Sequence, residues 1–252
     1  MIISHKHKFI FLHIPKTGGS SVTSYLASQL GPSDIQVGLY RETMTAGIAP
    51  TRAMVNRLLR PKSVAAFART LVRTNSLCDS VDAGIKASYR PQLGHQPVHC
   101  SASHLANFDP QSWREYLKFC VVRNPFDRAV SDYYWRTRVQ NARMPFEEYV
   151  QKIYVQGLPP KELGLGTDPI WTWPLYTING TVAVDTIIRF ERLEEDFRDL
   201  CSRLGIASGR ALPREKAAIR SQRGYRAMYS EESRRAVAAL NQMEIDEFGY
   251  AF

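Results

Sequence analysis

The chain has 252 residues, 44% of them hydrophobic, enough to bury a sizeable core in one α/β domain. Against 24 Asp and Glu stand 33 Lys and Arg, a formal net charge of +9, so the favoured partners are anionic: a nucleotide, an acidic polysaccharide, nucleic acid or a membrane surface. Cys78, Cys100, Cys120 and Cys201 form no C-x-x-C pair, which argues against a zinc ribbon or disulfide framework, and no apolar run approaches a signal or membrane segment, so the reading is a soluble, cytoplasmic protein with free thiols.

From Lys8 the chain reads K-F-I-F-L-H-I-P-K-T-G-G-S-S. Phe9 to Ile14 is too short for a buried helix and is bounded by Pro15 and a glycine pair, so it is a strand. Gly18 and Gly19 let backbone approach a ligand closely. Ser20 or Ser21 is placed to cap a helix running through Val22, Tyr25, Leu26 and Leu30 and stopped by Gly31-Pro32. A strand running into a helix start offers N–H groups and a positive dipole end to a phosphate, and Lys16 adds a mobile charge. Here the lysine precedes the glycines, unlike the G-x-x-x-x-G-K-[ST] loop of ordinary nucleoside triphosphatases.

Residues 41–75 hold seven basic side chains (Arg41, Arg52, Arg57, Arg60, Lys62, Arg69, Arg73) and one acid, Glu42. Around Pro61 they divide into two helical patterns, and Val64, Phe67, Ala68, Leu71 and Val72 form an apolar face with the arginines largely opposite. Two readings stand: a cover or grip for an anionic acceptor, or a solvated helix packed on the core. Residues 76–98 show no clear period and read as loop-rich.

His95, His99, Cys100 and His104 follow without a recognised metal-ligand spacing, and lead to a helical patch near Trp113 and Tyr116. Phe119 to Val122 is a second β-rich run. It ends at Arg123-Asn124-Pro125-Phe126-Asp127-Arg128, where Pro and Asp favour a turn and a helix start, and Ala129 to Arg138 continue as helix. Arg123 thus stands at a strand's carboxyl end with Ser131 eight residues on, where open α/β sheets bind their ligands. Pro145 opens another helix, with Glu147 and Glu148 at its positive end. Leu158 to Gly166 is a Pro/Gly loop. Trp171, Trp173 and Tyr176 read as core aromatics or as the lining of a sugar pocket. Val182 to Ile188 is a strand, followed by a helix with Leu193, Phe197, Leu200 and Leu204 that Gly205 closes; the last helix starts at Ser230.

P-K-T-G-G-S-S after an apolar strand resembles the 5′-phosphosulfate loop of sulfotransferases that use 3′-phosphoadenosine 5′-phosphosulfate (PAPS), and V-V-R-N-P-F-D-R-A-V-S-D-Y-Y resembles their 3′-phosphate motif. The likeness is to the carbohydrate type, the heparan sulfate 2-O- and chondroitin sulfotransferase-like family. I-I-R-F-E-R-L-E-E-D-F-R-D-L-C and the D-E-F-G-Y ending resemble it too, so the match covers residues 8–30, 99–140 and 182–250. The resemblance implies an α/β fold with a P-loop-like central parallel sheet flanked by helices, as one domain over 1–252 with a basic helical insertion at about 41–75. It implies PAPS as co-substrate and no metal. Lys16, Thr17, Gly18, Gly19, Ser20 and Ser21 then hold the 5′ side, and Arg123 and Ser131 the 3′-phosphate. Arg223, in R-S-Q-R-G-Y, is a further donor contact, although Pro213-Arg214-Glu215-Lys216 lacks the Asn the family carries before this loop.

The implied reaction is in-line transfer of the sulfuryl group to a hydroxyl of a carbohydrate or glycoconjugate, with Lys16 neutralising the leaving phosphate oxygen. A histidine is the side chain best matched to take the hydroxyl proton. The resemblance places it at His99, with His95 in the preceding turn and His104 in the following helix as the other candidates. The expected partner is the hydroxyl-bearing acceptor, with no nucleic acid. Animal Golgi members carry an N-terminal anchor, so a chain that enters its first strand at once is expected to be a bacterial form or a trimmed one. The competing readings are a nucleotide or small-molecule kinase, which requires Mg²⁺, and a non-catalytic polyanion binder using residues 41–75.

Overall fold

The structure, a computed structural model, describes residues 1–139, 141–206, 211–213 and 224–252. Its contacts divide the chain into two units. The first comprises Met1–Ile14, Gly18–Val121 and the described part of 174–215; the second comprises Pro15–Thr17, Val122–Trp173 and the described part of 216–252.

The first unit is built on a five-stranded sheet. Strands β1 (Ile2–Ser4) and β2 (Phe9–Leu12) form an antiparallel hairpin, Ile2 opposite Phe11, and β3 (Ile35–Gln36) pairs antiparallel with β1. Asp34, fully buried, staples this edge: its carboxylate accepts from Ser4 Oγ at 2.7 Å and from the N–H groups of His5, Lys6 and Gly31 at 2.8, 3.1 and 2.9 Å. After helix α1 (Gly19–Ala27) come α2 (Tyr40–Thr45), α3 (Arg52–Leu58), α4 (Pro61–Thr74), α5 (Leu77–Leu93), α6 (Ala102–Phe108) and α7 (Pro110–Glu115). Strand β4 (Leu117–Val122) then lies parallel to β2, Phe11 opposite Phe119.

The later elements are α8 (Pro125–Val139), α9 (Phe146–Val150), α10 (Trp173–Tyr176), the short pair β5 (Thr177–Ile178) and β6 (Thr181–Val182), β7 (Thr186–Arg189), α11 (Leu193–Arg203), α12 (Glu231–Leu240) and α13 (Gln242–Phe248). The large sheet runs β3-β1-β2-β4-β7. This is a mixed α/β fold whose parallel pair, β2 with β4, carries both motifs, while β1 runs antiparallel to its two neighbours.

Alternating residues leave opposite faces of a strand, and in β2 both sets are buried, so helices and loops cover the sheet on two sides. Phe9, Phe11, Phe119, Val121 and Ile188 meet Val22, Tyr25 and Leu26 of α1 and Phe197, Leu200 and Cys201 of α11. Tyr25 meets Phe197 edge-on at 5.2 Å. All four cysteines are free thiols, and burial pushes those of Cys100 and Cys201 up to about 11, which keeps them protonated and unreactive.

The second unit is organised around α8. Phe126, Ala129 and Val130 pack with Phe146, Tyr149, Val150, Ile153, Leu165 and Val237. Two buried arginines hold the helix from its other sides. Arg128 donates to the Ile170 carbonyl, Asn241 Oδ1 and Glu244 Oε2; Arg136 donates to Asp132 Oδ2 and to the carbonyls of Leu165 and Asp168.

Several expectations change. Residues 76–98 are not loop-rich: α5 occupies 77–93, capped by Ser76, whose side chain accepts from the Asp79 N–H. Its buried stripe is Ser80, Val81, Gly84, Ile85, Ser88 and Tyr89, and the small polar members break the hydrophobic period that would have revealed it. Gly84 is small because α3 and α4 lie against it: a Cβ there would stand 2.8 Å from Leu58 and 3.1 Å from the Ser63 carbonyl. Residues 41–75 hold three helices, not two, because Leu39 in a left-handed conformation starts the extra one, α2. Helix α1 ends at Ala27, short of Leu30. The strand expected from Val182 to Ile188 is split into β6 and β7, since Val182 pairs with Thr177 in a separate hairpin, extended by the Ala183 N–H bond to the Tyr176 carbonyl, whereas Thr186–Arg189 joins the large sheet. Trp173 and Tyr176 are buried, whereas Trp171 is exposed.

Candidate active site

Leaving β2, the chain makes two left-handed turns in quick succession, at Lys16 (φ 64°) and Gly18 (φ 85°). Glycine takes that conformation without strain; lysine does so at a cost of about 1 kcal/mol or more. Gly18 is also the cap of α1, and no side chain performs that role, so Ser20 and Ser21 lie inside the first turn instead of capping it. The reason is that the Gly18 carbonyl already accepts from the Ser21 N–H at 3.0 Å. Gly19 answers a different constraint. A Cβ there would sit 2.2 Å from His13 Cδ2, so the glycine makes room for that ring.

His13, at the end of β2, did not stand out in the sequence, where it reads as one more strand residue. It is buried, and its ring lies 4.9 Å from that of His99 at an interplanar angle of 69°. Its carbonyl accepts from His99 Nδ1 at 2.7 Å. A carbonyl can only accept, so His99 carries its proton on Nδ1 and its basic lone pair on Nε2. The other two histidines differ. His95 is exposed in the loop after α5. His104 lies in α6, with Nδ1 2.7 Å from Ser101 Oγ, the hydroxyl that caps the same helix.

In the second unit, α8 aligns three residues at intervals of four, Asp127, Ser131 and Trp135, which place them on one face. Asp127 Oδ2 receives Arg123 Nε at 2.7 Å and Nη2 at 2.6 Å. Arg123 Nη1 turns the other way and donates to the Lys16 carbonyl at 2.9 Å. The Lys16 ammonium lies 5.1 Å from the centre of the Trp135 ring, within cation–π range. Lys16 and Arg123, 107 residues apart, are therefore tied together, with Ser131 on the stripe between their two supports. Asp127 and Trp135 were not singled out from the sequence; the signal was their spacing of four from Ser131.

Lys16, Gly18, Ser20 and Ser131 are half-buried, while Thr17, Gly19, Ser21 and Arg123 are buried. Arg223 lies outside the described residues. Among the described residues no group of three or more His, Cys, Asp or Glu is placed to hold a metal ion, and no helix is long and apolar enough to cross a membrane.

Asp127 has a clear energetic role, because Arg123 is only 6% exposed. Removing one partner of a buried ion pair leaves the other charge uncompensated, at a cost of about 3 kcal/mol or more. Asp127→Ala is expected to lose about that much in urea denaturation; a loss under about 1 kcal/mol would mean that the pair is not the brace its geometry indicates.

The chain matches the Sulfotransferase family over residues 1–251 and belongs to it. It is also similar to an uncharacterised protein of Archaeoglobus fulgidus, 33% identical over 92 residues, which are 36% of this chain and 69% of that one. Among solved structures, the crystal structure of a sulfotransferase from Alicyclobacillus acidocaldarius aligns over 97% of this chain and 96% of its own, with 16% identity and a TM-score of 0.44.

Proposed function

We propose that this member of the sulfotransferase family moves the sulfuryl group of PAPS to a hydroxyl of a carbohydrate or glycoconjugate. The observation that carries the reading is the joining of Lys16 and Arg123, the two cations that separate motifs assign to opposite ends of the same donor. The residues fit that molecule: Lys16, Arg123, the hydroxyls of Ser20 and Ser131 and the first N–H groups of α1 are donors suited to phosphate. The carboxylate beside Arg123, that of Asp127, is already taken up by the guanidinium. When bound, PAPS supplies an activated sulfuryl group on a phosphate leaving group.

The chain's own contribution is positioning and charge. Arg123 and Ser131 hold the 3′-phosphate, and the turn at 16–21 holds the 5′ side. His99 Nε2 takes the hydroxyl proton as the acceptor oxygen bonds to sulfur. Lys16 meets the negative charge that appears on the phosphate oxygen as the S–O bond breaks. A carbohydrate acceptor rests on the family resemblance of the motifs.

The test is sulfate transfer from PAPS in the presence of a chelator, with adenosine 5′-phosphosulfate as the control donor. The native protein should discriminate strongly for the 3′-phosphate. Arg123→Lys, which cannot reproduce a planar two-point contact, should weaken donor binding at least about tenfold, the equivalent of roughly 1.5 kcal/mol. Equal use of both donors would count decisively against the assignment, and a strict Mg²⁺ requirement with a nucleoside triphosphate would favour a kinase.

A further inference from the structure

Helices α3 and α4 carry an exposed basic and aliphatic surface to which the roles proposed above assign no residue. From residue 43 to 78 the chain has six basic residues and no acid. Arg57 turns inward, its guanidinium 4.2 Å from the centre of the Tyr89 ring and bonded to Gln92 Oε1 at 3.3 Å. The other five, Arg52, Arg60, Lys62, Arg69 and Arg73, are exposed. In the same stretch Val72 is 90% exposed, Leu59 74%, Val64 50% and Val55 46%.

The geometry of α4 explains how both sets reach solvent. Its packed side is Ser63 and Phe67, against Gly84 of α5. At 100° per residue, Val64, Ala68, Leu71 and Val72 fall within about 100° of arc on one flank, and Lys62, Arg69 and Arg73 within about 40° on the other. Phe67 apart, the apolar face of α4 is thus turned outward beside a cationic stripe, along a helix roughly 20 Å long.

Charge narrows what can cover it. A second copy of the chain would bring like charges together, with no acid in the segment to answer them. A sulfated polymer or nucleic acid satisfies the cations but gives the aliphatic side chains nothing to bury against. A bilayer surface rich in anionic phospholipid satisfies both at once, because its headgroups take the arginines and its acyl boundary takes Leu59, Val64 and Val72. We infer that α3 and α4 form a docking surface for an anionic membrane, independent of the reading of the catalytic chemistry.

Co-sedimentation of the full chain with phosphatidylcholine vesicles containing about one-third phosphatidylglycerol tests this, with pure phosphatidylcholine vesicles as the reference. Binding is expected on the anionic vesicles only. Each cation near such a surface contributes roughly fivefold, so Lys62→Gln/Arg69→Gln/Arg73→Gln should weaken it on the order of a hundredfold. Leu59→Gln/Val72→Gln should weaken it roughly tenfold while leaving binding to soluble heparin unchanged. Val72→Gln alone, at a nearly fully exposed position, provides the same comparison if the double variant fails to fold. No binding to anionic vesicles, or vesicle binding indifferent to the apolar substitutions, overturns the inference; in the second case the surface is a groove for a soluble polyanion.

Discussion

His99→Ala is expected to lower kcat by about 10² to 10⁴ while leaving the affinity for 3′-phosphoadenosine 5′-phosphate nearly unchanged. An alcohol is a poor nucleophile at neutral pH, and proton removal during attack is worth that much when the base is correctly oriented. His99 is oriented by a backbone group: the bond from Nδ1 to the His13 carbonyl sets the tautomer in which Nε2 is the base. No side-chain substitution at residue 13 deletes that carbonyl. A bulky residue at Gly19 would act indirectly, by displacing the His13 ring that packs against His99. In the native protein kcat/KM should fall on the acid side as the base is protonated, and that limb should vanish from the residual activity of the variant. Turnover within a few-fold of native in His99→Ala, together with an inactive His95→Ala, would move the base to the neighbouring loop.

Lys16→Met is the second large effect, and it should fall mainly on kcat, by about 10² to 10³, with a smaller change in the KM for PAPS. The charge Lys16 meets is absent in the ground state and grows as the S–O bond breaks, so its contribution belongs to the transition state. Methionine keeps nearly the same length and leaves the Lys16 carbonyl in place for Arg123 Nη1, so the turn itself is preserved. It also retains the backbone strain of a non-glycine residue at φ 64°. What disappears is the ammonium held over Trp135. A rise in KM with unchanged turnover would make Lys16 a binding residue and leave leaving-group stabilisation to other donors.

The elements legible in the sequence are those whose signals are local. Phe9 to Leu12 and Phe119 to Val122 are short apolar runs ended by Pro and Gly, and a strand needs no more than its own residues and its breakers to announce itself. The same holds for the helix starting at Pro125, the helix from Leu193 closed near Gly205, and Ser230, which caps α12 as expected. Local turn and strand-end signals marked Lys16 and Arg123, and the family resemblance of the motifs marked His99 ahead of His95 and His104.

What each of them touches was decided by tertiary structure, because it depends on residues far away in the chain. The Asp127–Arg123–Lys16 chain of bonds joins the turn at 15–17 to the start of α8, more than a hundred residues further along the chain. The tautomer of His99 follows from a carbonyl 86 residues earlier. Gly18 displaced the serines as the cap of α1 because the left-handed turn at that point closes the helix start with backbone alone. Helix α5 was hidden because Ser80, Gly84 and Ser88 interrupt the apolar residues of its buried face, and a glycine at 84 makes sense only with α3 and α4 pressed against it. Conversely, the sequence left open whether the apolar face of α4 packs or lies free; in the fold Phe67 packs beside Gly84 while Val64 and Val72 are exposed. Periodicity tells a helix which residues share a side; only the neighbouring elements determine which side is buried.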